Sequence, residues 1–341
     1  LRALEPRYRE AASELREAIW DPIARRIQGA TILLVVPDGA IDLVNLAALP
    51  APGDRYLVET GPLIQYLSAE RDLIAPERPR AAGNGLLLVG GVDYGAVPAG
   101  GGADVHGSKP PACSPFASLR FPPLPGAGAE ADAVARIWKE HESGAVAASG
   151  EVMRLAGAEA TAPAFLAAAP GKAILHLATH GFVLEDTCAT ASAAEAPEDP
   201  MLLSGLAFAG ANRRRDAKPL ADDGLLTAEE IAATDLSHAQ WAVLSACDTG
   251  VGEVLGGEGV LGLRRAFEIA GAGTLIMSLW NVRDEDATEW MTALYRARFE
   301  SLRTAEAVRR ASIEVLESRR RNGRSTHPAA WGAFVASGEW R

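Results

Sequence analysis

Two histidines stand four residues apart in ILHLATHG, Ile174 to Gly181, and a cysteine, Cys247, closes the apolar run AVLSAC just ahead of Asp248-Thr249-Gly250. Imidazole and thiol together can do acyl transfer. The ring takes up the thiol proton, the thiolate attacks a carbonyl carbon, and the imidazolium protonates the leaving amine. The two groups need only meet in space, so their separation along the chain is no obstacle. The histidines alone suggest a second chemistry. On a helix, His176 and His180 would share a face as in the His-Glu-x-x-His zinc motif, but that motif needs glutamate where Leu177 stands.

A strand also puts residues 176, 178 and 180 on one face, so the flanks must decide. Gly171 breaks the preceding helix, Ile174, Leu175 and Leu177 are apolar, and Gly181 ends the run, which predicts a buried strand. His176 then lies inside a sheet as a core histidine, whereas His180 sits at the carboxyl end, where the glycine after it lets another group approach. A lone cysteine at a strand end is commonly a small buried hydrophobe. A histidine-glycine pair and a cysteine at two strand ends are harder to assign to packing. No Cys-x-x-Cys pair and no third ligand at zinc spacing accompanies them, so neither a metal nor a cofactor is expected.

The elements that would position these groups alternate. Apolar residues from Leu1 to Ile23 recur at helical steps, and TILLVVPDGAIDLV reads as two strands about a Pro-Asp-Gly turn. RYLVET and GLLLVGG read as further strands, GAEADAVARIW and ATAPAFLAAAP as helices, and MLLSGLAFAG as a strand. Thr227 and Glu230 have capping-box spacing and open a helix. The last third is strand WAVLSAC, helix GGEGVLGLRRAFEIAGAG, strand TLIMSLWNV, then two helices. Such alternation predicts an α/β fold with a mostly parallel sheet covered by helices on both faces, and ligands in such sheets bind at the carboxyl ends of the strands. Gly- and Pro-rich stretches near 96–125, 184–200 and 211–223 read as loop insertions, and NRRRDAK in the third as a solvated loop.

Bulk properties narrow the function. A net charge of −11 and the lack of a face-sized basic cluster argue against nucleic acid as a partner. Every apolar stretch is cut short of the roughly 18 residues a membrane helix needs, and no signal peptide is visible, so no membrane partner is expected. Three scattered cysteines, Cys113, Cys188 and Cys247, suit a reducing cytoplasm rather than a disulfide framework.

Taken together, ILHLATHG, LSACDTGVGEVLGGEGVLGLRRAFEIAGAGTLIMSLWNVRDEDATEWMTALY and HPAAWGAFVASGE resemble the CHAT family of caspase-like, separase-related cysteine peptidases. VVPDGAIDLVNLAAL, LAGAEAT and LTAEEIAATDLSHAQWAVLSAC extend the likeness from about Asp21 to Glu339. The resemblance implies a cysteine endopeptidase cleaving a protein substrate, with a caspase-like catalytic domain over 81–341 and a smaller N-terminal α+β companion region over 1–80. The family dyad maps onto His180 and Cys247, and the oxyanion donors onto the backbone N–H groups of Gly181 and Cys247. In SLWNVRDED, the resemblance places Trp280 and Asp284 at the substrate, with the Asp284 carboxylate facing a basic residue at P1, the residue whose carbonyl is attacked. A second reading makes Asp284 the N-cap of the helix it precedes. Asn281 stands where separases carry an acid.

Family members often follow tetratricopeptide or other partner-binding repeats, and with Leu1 in place of Met an upstream regulatory module is expected. The corresponding biological setting is bacterial defence or signalling. Two further hypotheses compete. One is a non-catalytic interaction module on the same scaffold, against which the intact His180, Gly181 and Cys247 argue. The other is a zinc site on His176, His180 and a cysteine, which metal analysis would settle. A basic P1 preference would also make NRRRDAK a self-cleavage site.

Overall fold

The computed structural model describes residues 1–74, 81–96, 119–141, 150–183, 201–216, 222–245 and 258–340. Cys247, Cys113, Cys188, His106 and Asp248 lie outside these residues, as do most of the insertions expected near 96–125 and 184–200.

Helices α1 (Glu5–Ile19) and α2 (Asp21–Ala24) come first, with Pro6 and Pro22 in their opening turns, where a missing N–H is harmless. Strand β1 (Ile32–Val35) follows. The expected second strand at AIDLV is instead a 3-10 turn over Gly39–Leu43, followed by another over Leu46–Ala48 that Asn45 caps through the Ala47 N–H. A hairpin of β2 (Pro50–Ala51) and β3 (Arg55–Tyr56) leads to α3 (Leu57–Thr60). RYLVET is thus strand for two residues only. Its remainder coils because the Glu59 carboxylate accepts from the Tyr56 N–H at 2.9 Å and starts a helix.

Then come β4 (Leu63–Tyr66), β5 (Leu86–Val92), α4 (Pro125–Glu140), β6 (Val152–Gly157), α5 (Ala162–Ala168), β7 (Ile174–Ala178), β8 (Gly181–Val183), β9 (Ser204–Ala207) and β10 (Leu225–Thr227). The chain finishes with α6 (Ala228–Ala232), β11 (Trp241–Leu244), α7 (Glu258–Ile269), β12 (Thr274–Ser278), α8 (Asp284–Phe299), α9 (Thr304–Arg321) and β13 (Phe334–Gly338). Thr227 caps α6 with the predicted reciprocal Glu230 bond.

Among the described residues, eight strands form one sheet in the order β1-β4-β13-β12-β11-β7-β5-β6. Its centre, β12-β11-β7-β5-β6, is parallel, β13 runs antiparallel to β12, and β4 and β1 continue parallel to β13. The N-terminal strands therefore extend the same sheet as the rest of the chain. Successive residues alternate between two cores. Leu87, Val89, Leu175, Leu177, Ala242, Leu244, Leu275 and Met277 face the core shared with α5, α6 and α7. Leu86, Leu88, Ile174, Trp241, Val243 and Ile276 face the core shared with α4, α8 and α9. Burial on both faces explains why these strands read as continuous apolar runs without alternation.

A smaller antiparallel sheet, β10-β9-β8, continues from the carboxyl end of β7. A Cβ at Gly205 would lie 2.2 Å from the Leu226 carbonyl oxygen and 2.6 Å from the Phe182 ring, so only glycine lets these strands close. NRRRDAK, expected as a solvated loop, begins as a 3-10 helix over Ala211–Asp216 with Asn212 buried. Residues 217–221 lie outside the described residues.

Candidate active site

The carboxyl ends of β7, β11 and β12 meet at one edge of the sheet. The parallel register pairs Leu177 with Leu244 and Leu244 with Met277, so Ala178, Ser245 and Ser278 emerge side by side. A cavity of about 260 Å³ opens there, lined by these three residues and by Glu130, Asn281 and Asp284. That lies just under the roughly 300–1,000 Å³ of small-molecule sites and suits a single long side chain.

His180 follows β7 by two residues and is only 1% exposed. Its Nε2 lies 2.7 Å from the Pro122 carbonyl oxygen. A carbonyl only accepts, so Nε2 carries a proton, which makes Nδ1 the ring nitrogen on which a second proton would come and go. The ring packs between Tyr94 and Phe121, at centroid distances of 5.0 and 5.7 Å. The backbone is fixed as tightly: the His180 N–H donates to the Tyr94 hydroxyl at 3.3 Å, and the His180 carbonyl accepts from the Ala207 N–H at 2.8 Å. Tyr94 in turn meets Thr179 Oγ1 at 2.8 Å, and Thr179 donates to the Ala207 carbonyl at 2.5 Å. Gly181, buried, opens β8 directly after the histidine.

The Phe121–Pro122 segment that orients His180 is itself held by Asn212, a residue sequence reasoning left in a solvated loop. Asn212 Oδ1 accepts from the Phe121 N–H at 2.9 Å, and its Nδ2 donates to Phe121 O at 2.8 Å and Gly95 O at 3.0 Å. Three segments distant in sequence thereby converge on one amide. No motif announces this, since the signal is tertiary.

His176 has different surroundings from His180. It is fully buried, with Nε2 3.0 Å from Glu130 Oε1 and Nδ1 3.2 Å from the Tyr295 hydroxyl. Glu130 lies on α4, 3% exposed, and its other oxygen accepts from Ser245 Oγ at 3.0 Å. Sequence reasoning missed this carboxylate because GAEADAVARIW reads as an ordinary amphipathic helix, in which a buried glutamate leaves no mark.

Asp284 is exposed and lines the cavity, but it does not cap the helix it begins. Arg283 holds the N-cap position of α8 without a side-chain bond, and Asp284 Oδ2 accepts from the Gly126 N–H of α4 at 2.8 Å. The cap expected within one helix is therefore made across to another. A Cβ at Gly126 would lie 2.3 Å from Asp284 Cβ, so glycine permits the contact. Trp280 packs against the α8–α9 core, and its buried Nε1 has no partner among the described residues. Its neighbours Ser278, Asn281 and Asp284 form the cavity wall.

Two residues on, Asp286 is 1% exposed and accepts from Arg319 at 2.8 Å and from Arg283 at 2.8 and 2.6 Å. This buried ion pair joins the first turn of α8 to α9 and so holds the wall that carries Asp284.

Among the described residues, no helix is long and apolar enough to cross a membrane. No protein with a curated description matches the sequence. Among solved structures, gingipain R, an Arg-specific cysteine proteinase, superposes with a TM-score of 0.53 at 9% identity, over 95% of this chain and 69% of that one. At that identity the likeness concerns the fold, which is the caspase-like α/β architecture expected from the sequence motifs. The CHAT domain profile matches residues 9–339, nearly the whole chain, and the protein belongs to the CHAT domain family.

Proposed function

We propose that the chain is a cysteine endopeptidase in which Cys247 attacks the carbonyl carbon of a peptide bond and His180 moves the protons. The observation that carries this reading is the seating of His180 at a strand end, with Nε2 committed to the Pro122 carbonyl, so that Nδ1 is the nitrogen that would exchange a proton. Nδ1 takes the thiol proton, the sulfur–carbon bond forms, and the carbonyl oxygen becomes an oxyanion. The N–H groups of Gly181 and Cys247 receive that charge, and one such donor is typically worth about 2.7–4 kcal/mol. Collapse breaks the carbon–nitrogen bond, with the proton passing from Nδ1 to the amine. His180 then draws a proton from water, whose oxygen attacks the thioester and regenerates the thiol.

The P1 side chain would enter the cavity beside the strand ends. The carboxylate of Asp284 lines it and among its described walls there is no cationic side chain, which supports a basic P1 residue. Trp280 acts from behind that wall. The substrate is a protein, and an upstream module controls access to it. The 1% exposure of His180 fits such control. The same burial also favours a second reading, a scaffold that relays binding without turnover.

A positional-scanning peptide library tests both readings with wild type, His180→Ala and Cys247→Ala. The peptidase reading expects turnover in wild type alone, strongest with arginine or lysine at P1. Equal turnover by all three proteins would refute the dyad, and no turnover by any of them would favour the scaffold.

A further inference from the structure

Four elements converge on one buried carboxylate that the dyad chemistry does not use. Glu130 of α4 accepts from His176 of β7 on Oε1 and from Ser245, just past β11, on Oε2, each at 3.0 Å. The Tyr295 hydroxyl of α8 has no other partner among the described residues, so its proton goes to His176 Nδ1, 3.2 Å away. Burial raises the Tyr295 pKa well above its ordinary value, so the phenol keeps that proton. The ring proton of His176 on Nε2 is then directed at Glu130. Every donor in the relay runs toward the carboxylate: Tyr295 to His176 to Glu130 from one side, Ser245 to Glu130 from the other. Ser245 is fixed through its backbone too, donating to the Leu177 carbonyl at 3.0 Å.

We infer that Glu130 is a positioning residue for the nucleophile: by holding Ser245 it fixes where the chain leaves the sheet, two residues before Cys247. This rests on the peptidase reading of Cys247. Two residues reach at most about 7 Å, so a displacement at Ser245 has little chain in which to dissipate. Reacting groups tolerate little displacement, since an error of about 1 Å can lower turnover about 100-fold. The relay ties Ser245 to the helix on one face of the sheet and, through His176 and Tyr295, to a second helix, so the strand end cannot drift alone.

The test measures thiol reactivity beside turnover. Iodoacetamide alkylation of the full chain is followed at each cysteine by peptide mass spectrometry, with Cys113 and Cys188 as internal references. Ser245→Ala and Glu130→Ala should slow alkylation of Cys247 by about tenfold or more, leave both references unchanged, and lower kcat by a similar factor with KM within about threefold. Glu130→Gln should stay within about threefold of wild type, because glutamine can accept from Ser245 and donate to His176 in its other tautomer. Unchanged alkylation and kcat in Ser245→Ala would overturn the inference. So would a Glu130→Gln defect confined to substrates with basic P1 residues, since Glu130 would then read charge. Alkylation of Cys247 that depends on Ser245, in a wild type that turns over no peptide, would refute the peptidase reading and support the positioning role.

Discussion

Replacing Asp284 by asparagine should separate substrate selection from stability. Asparagine keeps an oxygen for the Gly126 N–H that Asp284 Oδ2 accepts at 2.8 Å, and asparagine and aspartate cap helices about equally well. What disappears is a negative charge on the first turn of α8, worth about 0.3–1 kcal/mol at an exposed site. The expected change in Tm is therefore at most about 2–4 °C. In the cavity the same change removes a charged partner for a P1 guanidinium. A hydrogen bond to a charged group contributes about 1.5–3 kcal/mol, and at 1.36 kcal/mol per tenfold this is about 10- to 150-fold in kcat/KM. The assay compares two peptides that differ only in arginine or neutral citrulline at P1. Loss confined to the arginine peptide is the predicted result. Equal loss on both peptides, or loss on neither, would refute the reasoning.

Gly126→Ala should do what Asp284→Asn does and more: a Cβ 2.3 Å from Asp284 Cβ forces the two helix starts apart, so both Tm and arginine selectivity should fall. Asn212→Ala strips partners from buried backbone groups of Phe121, at about 1–3 kcal/mol each, and should lower kcat further than any folding loss explains, because the Pro122 carbonyl that orients His180 is released; turnover per folded molecule checks this. Asp286→Ala leaves Arg319, 2% exposed, without its carboxylate, and urea unfolding should show a loss of about 3–5 kcal/mol. Acid stability should depend on Glu59. Burial raises its pKa, but hydrogen bonds from Arg320 and from the Tyr56 N–H outweigh this and hold it below the ordinary value. Such a group contributes stability above its unfolded pKa and loses it as pH falls through the lower folded one, so Glu59→Gln should flatten the acid limb of a Tm–pH profile below the ordinary glutamate range.

The sheet was legible where its strands are buried on both faces. ILHLA, WAVL and TLIMS are mostly apolar, buried throughout and bounded by glycine or a turn, so local pattern and tertiary role agree. It was illegible where side chains of strand character are captured by a local bond. AIDLV coils into a 3-10 turn, and the end of RYLVET is turned into helix by Glu59. At the candidate site, strand ends flagged His180, and Asp284 was marked as a cap or a cavity residue. Its hydrogen bond crosses to Gly126, 158 residues away, which spacing along the chain cannot show. Glu130, Asn212 and Pro122 carried no local signal, because each acts on a group brought to it by folding.

The central claim is that Cys247 is a nucleophile whose proton is handled by His180. A peptide acyloxymethyl ketone with arginine at P1 tests it directly, since it forms a thioether with an activated thiol and the adduct can be placed by peptide mass spectrometry. The account predicts label on Cys247 alone, lost in His180→Ala and retained in His176→Gln. Label on Cys113 or Cys188, or labelling of Cys247 that persists at the same rate without His180, would contradict it.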